Sequence, residues 1–163
     1  MPPVLRIVGP PGSGKTLLIV SLVEALRSRG HRVATVAPRR GGATLIVLSN
    51  GGRVTMERAL PVEEIARVVA SIDPSAHLVL AEAYDTPGTP AIAISPRGAP
   101  RGPSTYEDAL TTVASEDIEA TFARLGPGET NGLVDLVERE VLGITREEPT
   151  VVRRGWWGRL LGR

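Results

Sequence analysis

The chain has 163 residues, 42% of them hydrophobic and 23% charged, which fits one packed domain and nearly excludes two full-sized ones. Nineteen basic against eighteen acidic side chains exclude a strongly electrostatic partner as the main theme, so no nucleic acid is expected, and the lack of cysteine excludes disulfides, thiolate catalysis and thiolate metal sites. Eighteen of the basic residues are arginine, and the single lysine is Lys15.

Met1-Pro2-Pro3-Val4 lacks the basic and apolar stretches of a secretory signal, and no apolar run approaches the roughly twenty residues of a membrane helix, so a cytoplasmic protein is expected. Val4 to Val8, Thr16 to Arg29 and Arg32 to Ala37, each bounded by Gly or Pro, read as a strand, a helix and a strand. Thr44 to Ser49 and Arg53 to Glu57 flank Asn50-Gly51-Gly52, a strong hairpin signal. From Pro61 to Ile72, the residues Ile65, Val68, Val69 and Ile72 form one apolar stripe of a helix. His77 to Ala83 reads as a buried strand closing on Glu82, and Ala91 to Ser95 as a further short strand. Pro96 to Ser104 is a loop by composition, and helices are expected from about Ser115 to Leu125 and from about Thr130 to Leu142, stopped by Gly126 and Gly143.

Charge divides the chain into blocks: residues 1–106 carry twelve basic and seven acidic side chains, residues 107–148 three and eleven. The acidic block reads mostly as the polar face of two helices. One domain over residues 1–145 and a basic tail over residues 146–163 are expected; the tail holds Trp156 and Trp157 among arginines and leucines. That composition suits docking to the tail's own domain, to a partner or to a membrane surface, or simple disorder.

The strong motif is Gly9-Pro10-Pro11-Gly12-Ser13-Gly14-Lys15-Thr16, a complete phosphate-binding loop between an apolar strand and an amphipathic helix. Its glycines let successive N–H groups approach phosphate oxygens while the helix directs its positive end at the same anion. Lys15 is then expected to reach the β- and γ-phosphates and the Thr16 hydroxyl to ligate Mg²⁺. Such a site also needs an acid at the carboxyl end of a neighbouring buried strand, which Glu82 supplies as catalytic and metal-side residue. Asp85 is a second, weaker candidate.

The loop, then Arg29-Gly30-His31-Arg32-Val33-Ala34, then Gly42-Ala43-Thr44 before the hairpin, and Leu78-Val79-Leu80-Ala81-Glu82-Ala83-Tyr84, together resemble the molybdopterin-guanine dinucleotide biosynthesis protein B (MobB) family over roughly residues 4–96. The resemblance implies an α/β P-loop NTPase-like three-layer fold with a mixed, mostly parallel sheet, a β-hairpin insertion and flanking helices. It also implies GTP and Mg²⁺ binding, a weak GTPase activity, a homodimer, and a molybdenum-cofactor guanylyltransferase as partner. Ala83 stands where that family has glycine and Asp85 where it has lysine, and Ala37-Pro38-Arg39-Arg40-Gly41 replaces a long segment containing His, Asp and Lys.

GTP is preferred to ATP through the resemblance alone, since the only lysine sits in the phosphate loop and none remains for a lysine-based guanine motif. A small-molecule kinase using ATP and a non-catalytic nucleotide-binding adaptor are the competing readings. His31 and His77, each just before a strand, are expected to be surface or strand-entry residues. Arg39 and Arg40 meet either solvent or an anion.

Overall fold

A computed structural model describes residues 1–99, 106–123 and 131–146. The apolar run Val4–Val8 becomes β1, followed by α1 (Lys15–Ser28), β2 (Val33–Pro38), β3 (Thr44–Val47), β4 (Arg53–Met56), α2 (Val62–Ile72), β5 (Leu78–Glu82), β6 (Ala91–Ser95), β7 (Ala109–Ala114), α3 (Ile118–Phe122) and α4 (Gly132–Glu140). The strands form one sheet in the order β4-β3-β2-β5-β1-β6-β7. The β2, β5, β1, β6 and β7 strands run parallel, while β3 and β4 add an antiparallel hairpin at one edge. At its tip the Asn50 side chain accepts from the Gly52 N–H at 2.8 Å, which ties the turn that the Asn-Gly pair predicts.

Successive side chains of a strand point to opposite faces, and here both faces are covered. Leu5, Ile7, Leu78, Leu80, Ile92 and Ile94 pack against α1, α3 and α4, while Ala34, Val36, Val79 and Ala81 meet Val62, Ile65 and Val69 of α2. This is the mixed, mostly parallel three-layer arrangement expected from the sequence. Of the α2 stripe, Ile65 and Val69 are buried and Val68 packs at the margin, but Ile72 is exposed in the last helical residue.

The second half differs from the sequence reading. Ala109–Ala114, to which that reading assigns no element, is an edge strand paired to β6 from Ala91 opposite Ala109 to Ser95 opposite Ala114. The helix expected from Ser115 is a 3₁₀ turn at Ser115–Asp117 followed by the short α3, and the next helix starts at Gly132 rather than near Thr130. Its start is set by Asn131, whose side chain accepts from the N–H groups of Leu133 and Val134, satisfying donors that have no partner within the helix. Leu125, Gly126, Thr130, the rest of the loop at residues 100–105 and the tail from residue 147, tryptophans included, lie outside the described residues. No helix among the described residues is long and apolar enough to cross a membrane.

The acidic block is more than a solvated helix face. Its Asp108, Asp135 and Glu138 pair with Arg6, Arg29 and His31 of the basic first block. Arg6, 2% exposed, lies in the middle of β1, where its guanidinium donates to the carbonyls of Thr89 (2.7 and 2.9 Å) and Tyr84 (3.1 Å) and to Asp108 Oδ2 (3.1 Å). Glu138, 1% exposed on α4, accepts from Arg29 at 2.7 Å and from Arg146 at 2.8 Å and meets His31 Nε2 at 2.7 Å. Burial by itself raises a carboxyl pKa, but the hydrogen bonds from Arg146, His31 and Arg29 and the charge of Arg29 outweigh it and hold Glu138 at about 2.

Candidate nucleotide-binding site

The phosphate loop leaves the carboxyl end of β1 at the centre of the sheet, where ligands gather in open α/β folds. Two of its glycines are needed sterically. A Cβ on Gly9 would stand 2.8 Å from Ser13 Oγ and 2.9 Å from the Ile94 carbonyl, and one on Gly14, at φ +95°, would stand 2.9 Å from Ile118 Cδ1. The loop is thus pressed between the end of β6 and the start of α3. The Ser13 N–H closes on the Pro10 carbonyl at 3.2 Å, and the first α1 bond runs from Leu18 N–H to the Gly14 carbonyl at 2.9 Å.

Lys15 folds back over this turn. Its Nζ donates to the carbonyls of Gly9 (3.0 Å) and Pro10 (2.9 Å), which leaves the third ammonium proton for another acceptor. The next residue reaches across to β5: Thr16 Oγ1 donates to Glu82 Oε1 at 2.9 Å. The register explains the meeting, because Glu82 lies opposite Ile7 in the β1–β5 pair, two residues short of Gly9. The two residues expected to flank a metal ion therefore touch, 66 positions apart in sequence.

An open depression of about 350 Å³ adjoins this pair, lined by Thr16, Ala37, Pro38, Arg39, Glu82 and Ala83. Asp85, the weaker acid candidate, is exposed and does not line it. Burial pushes the Tyr84 phenol above its ordinary pKa, against a smaller lowering from its hydrogen bond with Thr44. The residues present suit a nucleotide with Mg²⁺. The loop is a cradle that a Cβ would fill, and Thr16 and Glu82 present hard oxygen donors side by side, the ligand type Mg²⁺ requires. Among the described residues no group of three or more His, Asp or Glu could hold a metal ion, so phosphate oxygens and water would complete the coordination.

The sequence pattern singles out the loop and Glu82 but gives no role to Arg6, whose bond to the Tyr84 carbonyl holds the chain that follows Glu82. The signal was an arginine at the centre of an otherwise apolar strand. His31 and His77 stand away from the depression: His31 pairs with Glu138, while His77 Nε2 meets Arg32 at 3.1 Å.

Ala83, immediately after Glu82, is the one non-glycine among the described residues with positive φ, at +58°. A Cβ in this left-handed region costs about 1–2 kcal/mol, while glycine adds back some freedom to the unfolded chain. Ala83→Gly is therefore expected to stabilise the fold by about 0.5–1 kcal/mol, and thermal melting should show a Tm about 1–4 °C higher. A lowered Tm would mean that Ala83 is not strained.

Comparison with known proteins adds the fold. No family model and no curated protein matches the chain. Among solved structures, it superimposes on a MobB protein homolog from Bacillus stearothermophilus with a TM-score of 0.54 at 20% identity, covering 86% of this chain and 99% of that one. The likeness is one of fold. Two looser matches are MobB from Bacillus subtilis (TM-score 0.48, 15% identity, 78% and 99% covered) and a molybdopterin-guanine biosynthesis protein B (TM-score 0.44, 21% identity, 74% and 95% covered). The fold comparison rests on the first. The chain thus has a MobB-like fold, with the phosphate loop and Glu82 at the carboxyl ends of its central strands.

Proposed function

We propose that this chain is a GTP-binding accessory protein of molybdenum cofactor biosynthesis, a weak cytoplasmic GTPase that assists a guanylyltransferase making molybdopterin guanine dinucleotide. The observation that carries the nucleotide part is the Thr16–Glu82 contact beside Lys15 on a complete phosphate loop. The MobB-like fold, together with the ordered resemblance through Tyr84, supports the assignment to cofactor maturation. In this reading the backbone N–H groups from Gly12 to Thr16 bind the phosphates, Lys15 holds the β- and γ-oxygens, and Thr16 and Glu82 would hold Mg²⁺. Held by these two residues, Mg²⁺ would supply positive charge against that of the phosphates. Glu82 orients water on the metal side and keeps the Thr16 hydroxyl aimed at the site through its 2.9 Å bond. The basic tail is proposed as a separate segment that docks to a partner or membrane surface, and the protein as a homodimer.

Titration of the purified chain with GTP, ATP and their non-hydrolysable analogues, with and without Mg²⁺, tests the reading. Preferential, Mg²⁺-dependent GTP binding is expected. Removing the Glu82 carboxylate takes away one charged metal-side oxygen, so Glu82→Ala should lower Mg²⁺-dependent turnover by about tenfold to a hundredfold while Mg²⁺-free nucleotide affinity changes little. Unchanged turnover would remove Glu82 from the mechanism. ATP preference with phosphoryl transfer to a metabolite would favour a small-molecule kinase instead, and tight binding with no turnover a non-catalytic adaptor.

A further inference from the structure

The depression beside Thr16 and Glu82 contains one cation, Arg39, which no part of the nucleotide assignment uses. Its position follows from the sheet register. Val36 lies opposite Ala81 in the β2–β5 pair, so Ala37 comes level with Glu82 and the chain leaves β2 at the height of the Thr16–Glu82 contact. Arg39 follows two residues later. The turn that returns the chain to β3 is tight, with the Arg39 N–H donating to the Ala43 carbonyl at 2.8 Å and Gly41 and Gly42 at φ +80° and +79°. Five residues therefore join two hydrogen-bonded strands, and the guanidinium stays at the rim of the crevice.

That guanidinium is exposed and, like those of Arg40, Arg53 and Arg67, has no hydrogen-bond or ion-pair partner among the described residues, but of these four only Arg39 lines the depression. Arginine presents a rigid fork of donors that matches a phosphoryl group with two parallel hydrogen bonds. On a phosphate loop the terminal phosphate of a triphosphate is held by the loop lysine and the metal side, and the depression that holds Arg39 shares its metal-side residues Thr16 and Glu82. A diphosphate lacks that phosphate.

We infer that Arg39 is a γ-phosphate contact, by which the site distinguishes a nucleoside triphosphate from a diphosphate. The inference rests on the nucleotide-binding reading of the same site. It predicts a selective effect: Arg39 adds affinity for the triphosphate and none for the diphosphate.

The test is equilibrium binding of GDP and of a non-hydrolysable GTP analogue, with Mg²⁺, to the full chain and to Arg39→Ala, Arg39→Lys and Arg40→Ala. Arg39→Ala should weaken the triphosphate analogue about tenfold and leave GDP within about twofold, and Arg39→Lys should recover part of the loss because it keeps charge without the fork. Arg40→Ala should change neither. An unchanged ratio of the two affinities in Arg39→Ala, equal losses for both nucleotides, or the same loss in Arg40→Ala would each overturn the inference. Failure of the unsubstituted chain to bind either nucleotide would instead overturn the nucleotide reading itself, so the two failures are told apart before any variant is compared.

Discussion

Lys15→Ala should lower affinity for a nucleoside triphosphate by roughly a hundredfold, since a charge-assisted hydrogen bond contributes about 1.5–3 kcal/mol and each 1.4 kcal/mol is a factor of ten. Two effects combine in this loss. The ammonium supplies the compact charge at the phosphates, and it also bridges the carbonyls of Gly9 and Pro10, which sets the opening of the loop. Lys15→Arg keeps the charge but replaces the point donor that meets the Gly9 and Pro10 carbonyls with a broad planar group that does not reproduce that geometry. Both variants should therefore lose most of the binding when titrated calorimetrically with the non-hydrolysable analogue. Affinity within about threefold of the unsubstituted chain for Lys15→Ala would show that the loop lysine holds no phosphate here.

Glu138→Gln is expected to be strongly destabilising, lowering stability by about 3 kcal/mol because it removes the one buried carboxylate that Arg29, His31 and Arg146 share, with Asp135 left as the other partner of Arg29. Glu138 gathers Arg29, His31 and Arg146 on one buried carboxylate. For a chain of this length that loss corresponds to a Tm about 10 °C lower. The pH dependence has a definite sign. The folded pKa of about 2 lies below the ordinary value of 4.5, so the stabilisation is present above pH 4.5 and is lost as pH falls from there toward 2. Melting curves between pH 6 and pH 3 should fall more steeply for the unsubstituted chain than for Glu138→Gln. Parallel curves would mean that Glu138 is not held ionised by its partners.

The site was more legible in the sequence than the frame around it. Gly9 to Thr16 stand out because phosphate binding demands fixed residues at fixed spacing, and Glu82 because it closes the apolar run Leu78-Val79-Leu80-Ala81, a place that a solvated or arginine-paired acid can also take. The β7 strand escaped because Leu110, Thr111, Thr112 and Val113 neither alternate cleanly nor form an apolar run, and pairing with β6 decides their conformation. Arg6 and Glu138 escaped because a charge in a pattern is normally assigned to solvent. Glu138 did carry a signal: it follows Val134 by four residues and so shares the buried face of α4 with Val134 and Val137. Arg39 could be seen as a cation after a strand, but its neighbours Thr16 and Glu82 depend on the β2–β5 register, which a single sequence does not show.

The position of β1 also sets an order of events during synthesis. Although it precedes the other described strands in the chain, it pairs only with β5 and β6 among them, and its Arg6 finds acceptors no earlier than Tyr84 and its carboxylate partner only at Asp108. Non-local pairings of this kind slow folding, because the intervening chain must close before any contact rewards it. The phosphate loop therefore exists as sequence long before it exists as a cradle. A nascent chain halted before β5 leaves β1 without either of its partner strands, and that unpaired strand is a segment chaperones have reason to hold.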